Sequence, residues 1–258
     1  MSSPHIVFFD IETLPDLPAA LTVWPQLSSY PGQTMKATIN SICCVAWKVL
    51  GGDEVHCIKA WDFPGWGTNV NDDKALCEEL YKILLAADCV VGHNSKRFDW
   101  RFVQTRLMLH GLPTLPKITH VDTCKESSRN LFVFNNRLQT LARSFTSMEK
   151  MDHGLGWELW ERTHARDPEA MQIMEEYNKK DVIVTEEVFR RLRPVISTIP
   201  NHNLFNPLRE KSCPSCGSTR LLSNGKRHTK TRSYRRYVCK DCHSWSHTDA
   251  KDEVPRSD

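Results

Sequence analysis

Three short acidic fragments, far apart in the chain, constrain its fold more than any other feature. Asp10 and Glu12 follow the apolar run HIVFF, Asp99 closes VVGHNSKRFD, and Tyr177 and Asp181 lie four apart in EEYNKKDV. Residues i and i+2 of a strand point to one face, so Asp10 and Glu12 project side by side. Residues i and i+4 of a helix share a face, so Tyr177 and Asp181 project together. Asp181 is a misfit there, a carboxylate in a stripe of Met171, Met174, Tyr177, Val184, Val188 and Leu192.

Between these fragments the chain alternates strand and helix signals. Residues 5–9 read as a strand. Residues 13–38, with Pro15, Pro18, Pro25, Pro31 and Gly32, read as a long loop. Residues 39–49 and 54–61 read as two strands around the hairpin signal Gly51-Gly52. A helix is expected over 73–87 with Asp72 or Asp73 as N-cap, then a buried strand at 89–91. A helix from Asp99 should stop at Gly111, a strand is expected at 118–122, and a short helix over 136–145. Asp167-Pro168 opens a last long helix that runs to about Leu192. The order predicts an α/β domain with a mixed sheet of about five strands flanked by helices.

Clustered carboxylates are the ligands that hard cations such as Mg²⁺ prefer. Two such ions about 3.5–4 Å apart activate a water and stabilise the leaving oxygen of a phosphodiester. Asp10, Glu12, Asp99 and Asp181 are the candidate ligands, with Tyr177 placed to hydrogen-bond the attacking water. Each fragment alone also has an ordinary reading: a solvated turn for DIET, a capped turn for HNSKRFD, a helix surface for YNKKD. Asn94 reads equally as a contact to the substrate strand and as a helix cap. His93 reads as structural, and Asp122 as a support for the site or a turn cap. His153 lies in a loop before the last fragment, and Trp157 and Trp160 read as packing.

DIET, HNxxxFD and YxxxD, in this order, resemble the three motifs of the DEDD 3′–5′ exonucleases, in the tyrosine subtype. The resemblance covers roughly residues 5–193 and implies a ribonuclease H-like fold. It implies that Asp10, Glu12, Asp99 and Asp181 hold two Mg²⁺ or Mn²⁺ ions and that Tyr177 positions the water. The histidine subtype would need His where Glu176 stands. The segments VDTCKESSRN and GLGWELW, with the cysteine module below, look like exonuclease-like proteins common in bacteriophages. The activity this implies is hydrolysis of single-stranded nucleic acid, DNA favoured, from the 3′ end. A structure-selective endonuclease or ribonuclease on the same fold is the first alternative, and a non-catalytic nucleic-acid-binding protein the second.

The other strong signal is cysteine spacing. Cys213 and Cys216 form one C-x-x-C pair and Cys239 and Cys242 another, 22 residues on. That spacing suits a closed four-thiolate zinc site, structural rather than catalytic, in a zinc ribbon with hairpin strands at 220–223 and 234–238. So small a module depends on its metal for folding. The remaining six cysteines read as free thiols in apolar or helical contexts.

Charge follows the same division. Residues 206–258 hold 12 Lys and Arg against 6 Asp and Glu, which leaves the rest of this +3 chain net acidic. Lys226, Arg227, Arg235 and Arg236, interleaved with Tyr234 and Tyr237, are candidates to grip nucleic acid, with protein docking as the competing reading. The expected layout is a nuclease domain over 1–195, a linker over 196–208 and the ribbon over 209–250. No apolar run is long enough for a membrane span, and the N-terminus lacks a signal-peptide pattern. A cytoplasmic location is expected, in the host if the chain is viral. The expected partners are nucleic acid and, compatibly, replication or repair proteins.

Overall fold

The apolar run that opens at Ile6 does not stop at Asp10. In the computed structural model, which describes residues 3–14, 40–205 and 211–247, it continues as the nine-residue strand β1 (Ile6–Leu14). Asp10 and Glu12 therefore stand inside the strand rather than beyond it. They continue the face that begins with Ile6 and Phe8, while Val7, Phe9 and Ile11 fill the other. The loop expected over 13–38 lies outside the described residues from Pro15 on.

β2 (Ser41–Val49) and β3 (His56–Lys59) follow as an antiparallel pair. Phe63 and Pro64 cut the expected strand over 54–61 short. A 3-10 turn at Ala60–Asp62 leads into the short helix α1 (Pro64–Thr68), with proline at its first position. Next come α2 (Lys74–Leu85), β4 (Cys89–Gly92), α3 (Asp99–Leu109), β5 (Thr119–Asp122), α4 (Thr123–Asn130), α5 (Leu138–Phe145), α6 (Glu158–His164) and α7 (Pro168–Leu192). The sheet order is β3-β2-β1-β4-β5. β1 runs antiparallel to β2 and parallel to β4, and β4 parallel to β5. This is the expected mixed, five-stranded, ribonuclease H-like α/β fold.

Each face of the sheet carries its own core. Val7, Phe9 and Ile11 pack with Leu76, Leu80 and Leu84 of α2 and Val103 and Leu107 of α3. Ile6 and Phe8 pack with Leu138 and Leu141 of α5 and Val182, Val188 and Phe189 of α7. The Phe8 and Phe189 rings meet edge to face at 5.2 Å, a favoured aromatic geometry. The buried residues of α7 are Ala170, Met174, Asn178, Asp181, Val182, Val184, Thr185, Glu186, Val188, Phe189 and Leu192. They include Met174, Asp181, Val184, Val188 and Leu192 of the stripe read from sequence and widen it, with Tyr177 half-buried and Asn178 inside.

Several local expectations change in detail. Asp73 occupies the N-cap position of α2 but makes no capping bond. It accepts instead from Ile42 N at 2.7 Å and from Arg106 Nε at 2.8 Å and Nη2 at 2.5 Å. Asp72 accepts from Lys74 N at 3.2 Å. α3 ends as expected, with Gly111 at φ 68°, the left-handed conformation that closes a helix at little steric cost. α4 and α6, of eight and seven residues, are not foreshadowed in the sequence, while the equally short α5 is legible because Leu138, Leu141, Ala142 and Phe145 recur at helical spacing.

After α7 come two 3-10 turns, Arg193–Val195 and His202–Phe205. A three-stranded antiparallel sheet follows, of β6 (Leu221–His228), β7 (Ser233–Cys239) and β8 (Trp245–His247). It is tied to the end of α7, where Ser244 Oγ donates to Arg193 O at 3.3 Å, and His202 N donates to Pro214 O at 2.8 Å.

Candidate metal centre and substrate groove

The parallel partner β4 accompanies β1 only from Ile6 to Phe8. Beyond it the β1 edge is open, and the chain after β4 turns across it. Gly92 makes that turn close: a Cβ there would lie 2.5 Å from Ser95 Cβ and 3.2 Å from Phe9 O. Asp122 fixes the turn by accepting from Asn94 N at 3.0 Å and Lys96 N at 3.1 Å, while also capping α4 through Cys124 N and Lys125 N. Asp122 is thus a support, as the sequence suggests. Asp99 arrives at the start of α3, and its Oδ1 accepts from Ile11 N at 3.1 Å.

α7 crosses the same strand and brings Asp181 opposite Asp10 and Glu12. Ligand oxygens of Asp10, Glu12 and Asp181 lie within 4.8 Å of one another. Asp99 stands outside that tight group, yet its charge acts on Asp10. The four sequence-predicted carboxylates therefore gather at one place, with Tyr177 one turn before Asp181. Two further residues, not singled out from sequence, complete the cluster. Asn178 Nδ2 donates to Asp10 Oδ2 at 2.8 Å and to Asp10 O at 3.2 Å. Lys150 Nζ lies 2.6 Å from Asp181 Oδ2 and donates to the Tyr177 hydroxyl at 3.0 Å. Neither stood out in the sequence: Asn178 lies beside the stripe read there, and Lys150 enters from a loop.

The electrostatics call for a cation. Burial, then Asp99 and Asp181, push the Asp10 carboxyl well above its usual range. Burial, then Asp10, do the same to Glu12. Burial raises Asp181 against the pull of Lys150, and burial raises Asp99 to about 7. The Tyr177 phenol rises to about 12 through burial and the Asp181 charge. Asp181 Oδ1 is buried with no hydrogen-bond partner, the signature of an oxygen waiting for a ligand. The donor set is all oxygen and fits a hard divalent ion.

A groove runs away from this cluster. Asn94, Gln139 and Lys150 line a cavity of about 610 Å³, and Gln139, Lys150, His153 and Tyr177 line an adjoining one of about 420 Å³. Asn94 adopts φ 59° and its carbonyl accepts from Arg97 N and Phe98 N; α3 has no side-chain cap. His93 is structural, with Nδ1 2.9 Å from Thr123 Oγ1 and a pKa that burial lowers to about 4. His153 meets the Tyr177 ring edge to face at 5.3 Å. Trp157 and Trp160 stack at 6.0 Å, and Trp160 abuts Tyr177 at 6.4 Å, so these tryptophans pack against the site's tyrosine.

At the other end of the chain, the four module cysteines converge with Sγ atoms within 4.8 Å of one another. Cys213 and Cys242 are 3.6 Å apart, and Cys216 and Cys239 3.7 Å. A zinc–sulfur bond of about 2.3 Å gives a tetrahedral edge of about 3.8 Å, so the group is compatible with a zinc ribbon. Lys226 and Arg235 face each other across β6 and β7, on the face opposite Arg227 and Arg236. All four are exposed. A further group, Asp73, Cys77 and His110, also converges, but Arg106 occupies both Asp73 oxygens.

Residues 42–193 match the family model RNase_H_2, described as RNase_H superfamily. The chain belongs to the ribonuclease H superfamily. The matched stretch contains Asp99, Tyr177 and Asp181 and begins after Asp10 and Glu12. Among solved structures, the chain is similar to the family B DNA polymerase of the hyperthermophilic archaeon Pyrobaculum calidifontis, with TM-score 0.52 and 16% identity. That likeness covers 91% of this chain but 32% of the polymerase, so the chain spans about a third of its length. No curated protein matches the chain. The polymerase likeness shows the fold alone; membership of the ribonuclease H superfamily supports a nuclease, a class that acts on nucleic acid and typically uses divalent metals. Among the described residues, no helix is long and apolar enough to cross a membrane.

Proposed function

We propose that this chain is a metal-dependent 3′–5′ exonuclease acting on single-stranded nucleic acid, DNA favoured. The observation that carries the reading is the convergence of Asp10, Glu12 and Asp181 with Asp99 beside them and Tyr177 and Lys150 at the rim. In this reading the four carboxylates hold two Mg²⁺ or Mn²⁺ ions, which lower the pKa of the attacking water and stabilise the leaving 3′-oxygen. Asn178 holds the Asp10 carboxylate in place. The Tyr177 hydroxyl, kept protonated by burial and the Asp181 charge and fixed by Lys150, orients the water. Asn94 contacts the substrate strand.

The proposed layout is a nuclease domain over 1–195, a linker over 196–208 and a zinc ribbon over 209–250. The ribbon grips nucleic acid through Lys226, Arg227, Arg235 and Arg236 and raises the local substrate concentration. A protein of this kind works in the cytoplasm, that of the host for a phage protein, beside replication or repair proteins.

The test is digestion of 5′-labelled single-stranded DNA and RNA with Mg²⁺ or Mn²⁺, beside Asp10→Ala. A ladder that shortens from the 3′ end and is lost in the variant supports the reading. Internal cuts would replace it with an endonuclease. Binding without cleavage would replace it with a docking protein.

A further inference from the structure

Between α4 and α5 the chain runs through Leu131-Phe132-Val133-Phe134-Asn135-Asn136-Arg137. Alternate side chains behave oppositely. Leu131 and Val133 are partly buried against the core beneath the sheet. Phe132 is 104% exposed and Phe134 98%. No other large apolar side chain among the described residues exceeds 81%. A protein gains nothing in stability from two phenylalanines held fully in water, and anchoring by Leu131 and Val133 keeps them there.

Their neighbours say what covers them. Asn136 and Arg137, next in the chain, line the 610 Å³ cavity together with Asn94, Cys124, Gln139 and Lys150. Lys150 in turn touches Asp181 and Tyr177. The Phe pair therefore closely precedes, in the chain, the residues that line the groove leading to the carboxylates. Exposed Arg129 and Arg137 flank it, and among residues 129–137 there is no carboxylate. Flat apolar rings between cations suit unpaired bases joined by phosphates, because every base offers a face to stack on and every phosphate a charge to pair.

We propose that Phe132 and Phe134 form a stacking platform for unpaired bases of the strand that enters the groove, upstream of the scissile end. The site rests on the nuclease reading for its place in the reaction, and deepens it by naming a determinant of single-strand preference.

The test compares two 12-nucleotide probes, oligo-dT and an abasic strand of the same length and charge, by fluorescence anisotropy. The background is Asp10→Asn, which prevents cleavage, with the full chain and its zinc. In the parent, oligo-dT binds more tightly than the abasic strand. Phe132→Ala/Phe134→Ala should weaken oligo-dT binding about tenfold, leave abasic binding unchanged and so erase the preference. Phe132→Tyr/Phe134→Tyr should restore it, which excludes a folding defect. Equal oligo-dT affinity in the alanine variant would overturn the proposal, as would a loss on both probes that tyrosine does not rescue. A parent that sediments as a dimer and an alanine variant that sediments as a monomer would assign the pair to self-association and overturn it too. Because binding is read without cleavage, a wild-type chain that cuts nothing removes the proposed function and leaves this comparison intact.

Discussion

Lys150 Nζ sits 2.6 Å from Asp181 Oδ2, a cation already paired to a carboxylate that faces Asp10 and Glu12. Burial disfavours the ammonium, but Asp181 and Tyr177 outweigh it and hold the Lys150 pKa above its usual value. Lys150 thus stays charged at any working pH. It takes one oxygen of Asp181 and leaves the other buried and unpaired.

Lys150→Met should therefore lower turnover on single-stranded substrate by about 10–100-fold, the usual effect of losing a partner that orients a ligand. The Mg²⁺ concentration for half-maximal rate should not rise, because Lys150 repels a cation rather than holding one. A titration of rate against Mg²⁺ checks both. A rise in the Mg²⁺ requirement that accounts for the whole loss would make Lys150 part of the metal site instead.

Stability should depend on pH in the opposite sense to an ordinary carboxylate protein. Asp99 titrates at about 7 when folded against a usual 3.8, and Asp10, Glu12 and Asp181 are also raised, burial being the largest cause in each. Below about pH 4 both states are protonated and the advantage of the protonated fold is complete. As pH rises toward 7 the unfolded chain has lost protons that the folded one keeps, so stability falls. Without added Mg²⁺, the melting temperature should drop by roughly 5–10 °C from pH 5 to pH 8. Added Mg²⁺ should recover the drop at pH 8 but not at pH 5, and Asp10→Asn should flatten the profile. Melts without chelator, which would also strip any metal from the cysteine module, make the comparison. A metal-free chain that is most stable at pH 8 would contradict the cluster.

Much of this site was legible in sequence because its geometry comes from short periods. The i, i+2 spacing of Asp10 and Glu12 and the i, i+4 spacing of Tyr177 and Asp181 survive unchanged in β1 and α7. Asp99 was legible only through its motif, since nothing local shows that α3 begins beside the open edge of β1. Lys150 was illegible for the same reason. It enters from a loop, and its partner Asp181 is 31 positions away. The exchange of Tyr177 for Asn178 on the buried side of α7 has a simple cause: Tyr177 reads as apolar and Asn178 as polar, but the helix buries Asn178 to hold Asp10. The exposed Phe132 and Phe134 reverse the usual rule, and burial alone could reveal them.

The cysteine module should carry one zinc per chain, and Arg193 should help to keep it. Arg193 lies over the Phe189 ring at 5.0 Å, and its Nε and Nη2 are buried without a hydrogen-bond partner. Burial lowers its pKa, while Cys216 and Cys242 favour its charge. Four thiolates around Zn²⁺ leave a net charge of −2, which the guanidinium offsets. Arg193→Ala should release zinc to a colorimetric chelator about tenfold faster than wild type, with Arg193→Lys between the two. Cys216→Ser should lose the metal on purification. Unchanged release from Arg193→Ala would leave the arginine a packing residue only.

Gly92 tests whether the turn across β1 places Asp99. A Cβ at this position meets Ser95 Cβ and Oγ at 2.5 Å and Phe9 O at 3.2 Å, and neither neighbour is free to retreat. Ser95 is buried with Oγ 2.8 Å from His120 Nε2, and Phe9 O belongs to β1. Gly92→Ala should cost about 1–3 kcal/mol, as overpacking does elsewhere, a fall in melting temperature of several degrees. The displaced turn carries Asn94 and Asp99, so activity should fall further than stability predicts, and the fall should persist well below the melting transition. Ser95→Ala combined with Gly92→Ala removes the Oγ clash but not the contacts at Ser95 Cβ and Phe9 O, and should recover part of both losses. A Gly92→Ala chain with wild-type turnover at 20 °C would show that Asp99 is placed by α3 alone.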